Sequence, residues 1–174
     1  MFAELQDTGE SGLRGPLGDN AMARGDFTLF EEFVDQLGME LHDFDNDTIK
    51  LALIDNVVTP TAADATPMWG AGSGVDYDGN EVSTAGGYTA NGETVAVTWT
   101  EAGGTATLDD DTGDISLSQD GSGFTDAYYG ILYNDSAASK NAIGFLDLGG
   151  PVSEQDGPIT ITWNASGILT VAVS

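Results

Sequence analysis

The stretch that most constrains the fold is the last third of the chain, from Asp126 to Ser174. Four short apolar, β-branched and aromatic runs are separated there by Gly, Asn, Asp and Pro, the pattern of consecutive strands. The last two runs alternate. Ile159, Ile161 and Trp163 share one face and Thr160 and Thr162 the other, while Ile168, Thr170 and Ala172 separate from Leu169, Val171 and Val173. Asn164-Ala165-Ser166-Gly167 supplies a turn between them, so the sequence predicts a terminal hairpin. Nothing in this block resembles catalytic equipment.

With 24 glycines and short strands at frequent spacing among 174 residues, the chain is expected to be all-β and mainly antiparallel. The expected architecture is a β-sandwich of about eight or nine strands, with one short N-terminal helix and an extended N-terminal arm. The division is residues 1–25 as arm and 26–174 as sandwich domain. Upstream strands are predicted at 48–54, 81–84, 94–100, 104–108 and 115–118. Ile49, Leu51, Leu53, Val95, Val97 and Trp99 point inward in this reading and Lys50 outward. Thr28 and Glu31 have the spacing of a capping box and Gly38 that of a C-terminal cap, which predicts a helix over 28–37. Its stripe is Leu29, Phe30, Phe33, Val34 and Leu37, with Gln36 facing water.

Charge narrows the function classes. Four basic residues face 29 acidic ones, so the body repels polyanions, and neither nucleic acid nor anionic lipid is an expected partner. No apolar run has the length of a membrane span. The absence of cysteine removes disulfides and thiol chemistry. The N-terminus shows neither the basic nor the apolar region of a secretory signal, so assembly in a cytoplasm is expected.

Candidate sites are few. Residues 1–25 carry spaced apolar anchors, Phe2, Leu5, Leu13 and Leu17, and two of the four cations, Arg14 and Arg24, which suits an arm that orders on a neighbouring subunit. Trp69 stands in a long loop, either plugging the rim of the domain or anchoring an interface. His42, the only histidine, lies beside Asp43 and reads as a surface or turn residue rather than a base. Asp76 to Glu81 resembles part of a calcium loop but lacks its spacing, and Asp109 to Asp114 reads as a hairpin turn. No metal site, cofactor site or catalytic group is assigned.

Five segments together resemble small virion structural proteins of tailed bacteriophages: Ile49-Lys-Leu-Ala-Leu-Ile54, Gly86-Gly-Tyr-Thr-Ala-Asn-Gly92, Ala127-Tyr-Tyr-Gly-Ile-Leu-Tyr-Asn-Asp135, Ala142-Ile-Gly-Phe-Leu-Asp-Leu-Gly149 and Ile159-Thr-Ile-Thr-Trp-Asn-Ala-Ser-Gly-Ile-Leu-Thr170. The likeness covers residues 28–173 in order. It implies a non-enzymatic building block of the virion, foremost a head decoration or cement protein that contacts the major capsid protein or other virion subunits, as a homo-oligomer or in many copies on the particle. Alternatives are a tail or fibre component binding a host receptor through loops around Trp69, Tyr77 and Tyr88, and a hydrolase working through paired carboxylates.

Overall fold

The computed structural model describes residues 20–21, 27–70, 72–111 and 113–173. Among these residues eleven strands form three sheets, almost wholly antiparallel, with one short α-helix and one 3-10 turn. The largest sheet has five strands in the order β2 (Phe27–Leu29), β9 (Ala142–Val152), β8 (Ala127–Asn134), β3 (Ile49–Ile54) and β4 (Glu93–Val95). Two three-stranded sheets face it: β11 (Leu169–Ala172), β6 (Thr105–Asp110) and β5 (Val97–Ala102), then β1 (Asn20–Ala21), β10 (Ile159–Ile161) and β7 (Ile115–Leu117). The result is the expected all-β sandwich, in which the smaller layer is split.

The split follows from two bends. Ala96 separates β4 from β5, so one extended run begins beside β3 and ends beside β6. The second bend corrects the predicted terminal hairpin. The turn at 164–167 is real, since the Gly167 N–H donates to Asn164 O at 2.8 Å and Gly167 has φ +102°. The chain nevertheless does not fold back on itself. Ile159 pairs with Leu117 and Ile161 with Ile115, and then Leu169 pairs with Leu108 and Ala172 with Thr105. β10 and β11 are thus one strand interrupted by a turn, running antiparallel to β6 and β7, which are interrupted at 111–114. The acidic run there joins two sheets and is not a hairpin turn.

The N-terminal helix is also shorter than expected. Thr28 is drawn into the sheet, because Phe27 to Leu29 pair with Leu146 to Gly144 at the free edge of β9. Three residues that gain ladder hydrogen bonds there outweigh a capping box, a local preference worth about 1 kcal/mol. Helix α1 is Phe33–Gly38 and has no side-chain cap. Val34 is 73 % exposed while Gln36 is buried, the reverse of the predicted stripe. The region from 81 to 84 contributes only an isolated bridge, between Glu81 and Ile54.

The five-stranded sheet is covered on both faces. Its inner face sets Ile49, Leu51, Leu53, Leu132 and Ile143 against Leu108, Leu117, Ile159, Ile161 and Leu169 of the split layer. Val97, Trp99 and Trp163 are half-buried against this core rather than fully inside it. The outer face carries Ala52, Ile54, Ile131, Tyr133 and Phe145, packed under Phe30, Trp69 and Tyr77. The long segment 57–80 is therefore a third layer.

Candidate functional site

Trp69 comes from that covering segment and is completely buried. Met68 bridges to both Asp76 and Asn141, and the Trp69 N–H donates to Lys140 O at 3.1 Å, which fixes the loop against β9. The indole stacks on Tyr133, with centroids 5.3 Å apart and planes at 16°, and its Nε1 donates to Asn91 Oδ1 at 3.3 Å. Tyr133 Oη donates in turn to Asn91 O at 2.6 Å. Of the two roles considered for Trp69, the plug is what the fold uses, and the ring offers no surface to a partner.

Tyr77 and Tyr88 are buried as well, which corrects their expected place on a contact surface. Tyr77 Oη donates to Asp64 Oδ2 at 2.5 Å. Tyr88 Oη donates to Glu81 Oε1 at 3.0 Å and accepts the Leu53 N–H at 2.9 Å. Burial raises the pKa of the Tyr77, Tyr88 and Tyr133 hydroxyls, and neighbouring carboxylates add to the rise. Neutral phenols that donate and accept in fixed directions suit a scaffold. Asp64 moves the other way: burial pushes it up, but hydrogen bonds from Thr61 and Tyr77 outweigh this and hold it below the usual carboxylate range.

His42 is likewise internal, only 9 % exposed, not a surface residue. Its ring lies between Phe33 and Phe44, stacked on the latter with centroids 5.6 Å apart. Nε2 faces Gln36 Oε1 at 2.8 Å, and Nδ1 faces the Asn134 amide nitrogen at 3.3 Å. The amide nitrogen donates, so the network assigns the proton of the neutral ring to Nε2. Loss of solvation lowers the His42 pKa to about 4, against a smaller opposing pull from Asp47. Asp43, the neighbour in sequence, instead holds Asn46 and its own backbone near Asp47. A neutral imidazole hydrogen-bonded on both nitrogens has no free position for a substrate proton.

The two cations of the described residues, Lys50 and Lys140, converge on Asp135 at 3.2 and 3.0 Å. Burial pushes this carboxyl up, but hydrogen bonds and charge from Lys140 and Lys50 win and lower it. Glu154 is fully buried between loops: its Oε1 accepts the Gly87 N–H at 2.9 Å, while Oε2 has no partner among the described residues. A cleft of about 140 Å³ opens where the sheets diverge, lined by Glu93, Asp110, Asp114 and Ser116 among others. Among the described residues, no group of three or more His, Cys, Asp or Glu side chains is arranged to hold a metal ion. Asp76 Oδ1 accepts the Gly70 and Asp78 N–H groups at 2.7 and 3.1 Å, tying a turn together.

Phe2, Leu5, Leu13, Arg14, Leu17 and Arg24 lie outside the described residues. Within the stretch read as an arm, Asn20–Ala21 forms β1, parallel to Ile159 and Thr160. Sequence reasoning missed the His42, Gln36 and Asn134 network; the apolar neighbours Leu41 and Phe44 were its one signal. No protein family, curated protein or solved structure matches the chain.

Proposed function

We propose that this chain is a non-enzymatic structural subunit of a bacteriophage particle, acting as a head decoration or cement protein on the major capsid protein. The observation that carries the structural half of this reading is the fate of the chemically capable side chains. His42, Asp64, Tyr77, Tyr88, Tyr133 and Trp69 are engaged in internal hydrogen bonds or stacking that hold loops onto sheets. The virion half rests on the five ordered segments that resemble phage structural proteins. An acidic body suits an outward, hydrated position on a shell, because like charge keeps neighbouring particles apart. The receptor-binding alternative loses its three aromatic contacts to the interior.

Immunogold labelling of particles with antibody against this chain, alongside mass spectrometry of the same purified particles, tests the assignment. Label distributed over the head is the expected result. Label confined to the tail, or a chain missing from purified particles, contradicts it.

A further inference from the structure

We infer that the outer edge of β11 is a self-association surface, on which a second copy of this chain pairs its own β11 across a two-fold axis. The edge is open: β11 pairs with β6 on one side, and among the described residues nothing pairs with the other. One step upstream the same edge already accepts a strand, because β10 continues into β11 and Asn20–Ala21 pairs along its outer side. Charge identifies the occupant. From Gly157 to Ser174 there is no charged side chain, in a chain whose formal net charge is −25. Natural edge strands are commonly blunted by charges or proline, and Leu169–Ala172 has neither. A partner strand bearing acids would add repulsion at the seam itself, whereas a second β11 brings an equally neutral strip and leaves only the repulsion between the two acidic bodies, which salt screens. Two exposed apolar side chains, Val171 at 40 % and Val173 at 84 %, lie on or directly after this strand.

Backbone parity sets the register. The Val173 N–H donates to Gly104 O at 3.0 Å, so alternation turns Leu169, Val171 and Val173 toward β6. Thr170 and Ala172 present their N–H and C=O groups outward. A two-fold axis through Val171 then pairs Thr170 of each copy with Ala172 of the other, and all four outward groups per copy are satisfied. The two Val171 side chains meet as a closely spaced, non-hydrogen-bonded pair, and Val173 approaches Leu169 of the partner. The sheets merge into one of six strands. This inference stands apart from the capsid assignment, since it concerns association in solution and particle labelling does not bear on it.

The test uses the full chain in sedimentation velocity over a concentration series at about 0.1 M and about 1 M salt, where screening lengths are about 10 and 3 Å. Dimerisation that strengthens with salt is expected, because the acidic bodies repel while the neutral seam does not. Thr170→Pro removes an outward N–H without touching the β6 ladder and is expected to weaken association roughly tenfold or more, with an unchanged melting temperature of the monomer. In the cysteine-free chain, Val171→Cys is expected to form a covalent dimer under mild copper-phenanthroline oxidation, and the exposed loop variant Val57→Cys is not. A wild-type chain that stays monomeric at both salts overturns the inference. So does a dimer unaffected by Thr170→Pro, or one in which Cys at 57 cross-links as readily as Cys at 171.

Discussion

The five-stranded sheet is built from near-continuous apolar runs and is buried on both faces, whereas the strands of the β11-β6-β5 sheet interleave threonine with apolar residues and are buried on one. In β3 every residue from Leu51 to Ile54 is buried, and β8 and β9 carry similarly continuous runs. In β5 and β6, by contrast, only Leu108 is fully buried. Thr100, Thr107 and Thr170 align across the three strands on the face opposite Trp99, Leu108 and Leu169. The difference is what covers them: segment 57–80 lays Trp69 and Tyr77 over the outer face of the large sheet, and no described segment does so for the small one. A long loop is here a packing layer, and its removal should convert the first kind of sheet into the second.

The largest expected effect therefore comes from Trp69→Ala, which strips the cover from Tyr133. A loss of about 3–5 kcal/mol is expected in urea unfolding of the full chain. Trp163→Ala, on the half-buried side, should cost clearly less, and equal costs would erase the distinction between the two faces.

Acidification probes the end of the sandwich closed by α1. The folded His42 pKa, about 4, lies below its ordinary value of 6.5. The unfolded chain thus takes up the proton first as pH falls. The stability tied to neutral His42 is complete above pH 6.5 and is lost as pH drops toward 4, on the order of 3 kcal/mol in all. As the only histidine, it gives an unambiguous NMR titration. A midpoint near 6.5 would place the ring in solvent.

Gly144→Ala should cost about 1–3 kcal/mol, because an added Cβ would lie 2.6 Å from Thr28 O and from the Phe27 ring, forcing β2 off the sheet edge. Loss of the Phe27–Trp163 ring contact, read by tryptophan fluorescence, is the accompanying signal. At the small end, Thr100→Val, exposed on the open face, should change stability by no more than about 0.5 kcal/mol. A large loss there would mean that something covers the threonine face.

The strands were the most legible part of the sequence, and their pairing the least. Ile49 to Ile54 and Ala127 to Asn134 announce themselves as apolar runs, and the presence of Ala52 and Ile54 on the supposedly outward side already signals a second buried face. The turn before Gly167 is equally plain. What a turn signal cannot encode is whether the chain reverses or merely bulges, since that depends on partners at 105–108 and 115–117. The same limit explains Thr28, whose local helix-start preference yields to the edge of β9. Trp69 sits in a segment without periodicity, so the sequence marks it as unusual without saying which side of the loop it faces. His42 reads as a surface residue in the sequence because its partners Gln36 and Asn134 meet only when α1 and the segment after it fold onto the sheet.

Native-state hydrogen exchange, followed by mass spectrometry on peptides of the full chain, tests the two-faced against the one-faced sheet most directly. Peptides spanning Ile49–Ile54 and Ala127–Asn134 should exchange only through global unfolding, while those spanning Val97–Asp110 should open earlier by partial unfolding. Trp69→Ala should bring the first set toward the second. Equal protection of both sheets in the wild type, or first-set peptides untouched by that substitution, would contradict the account of segment 57–80 as a covering layer.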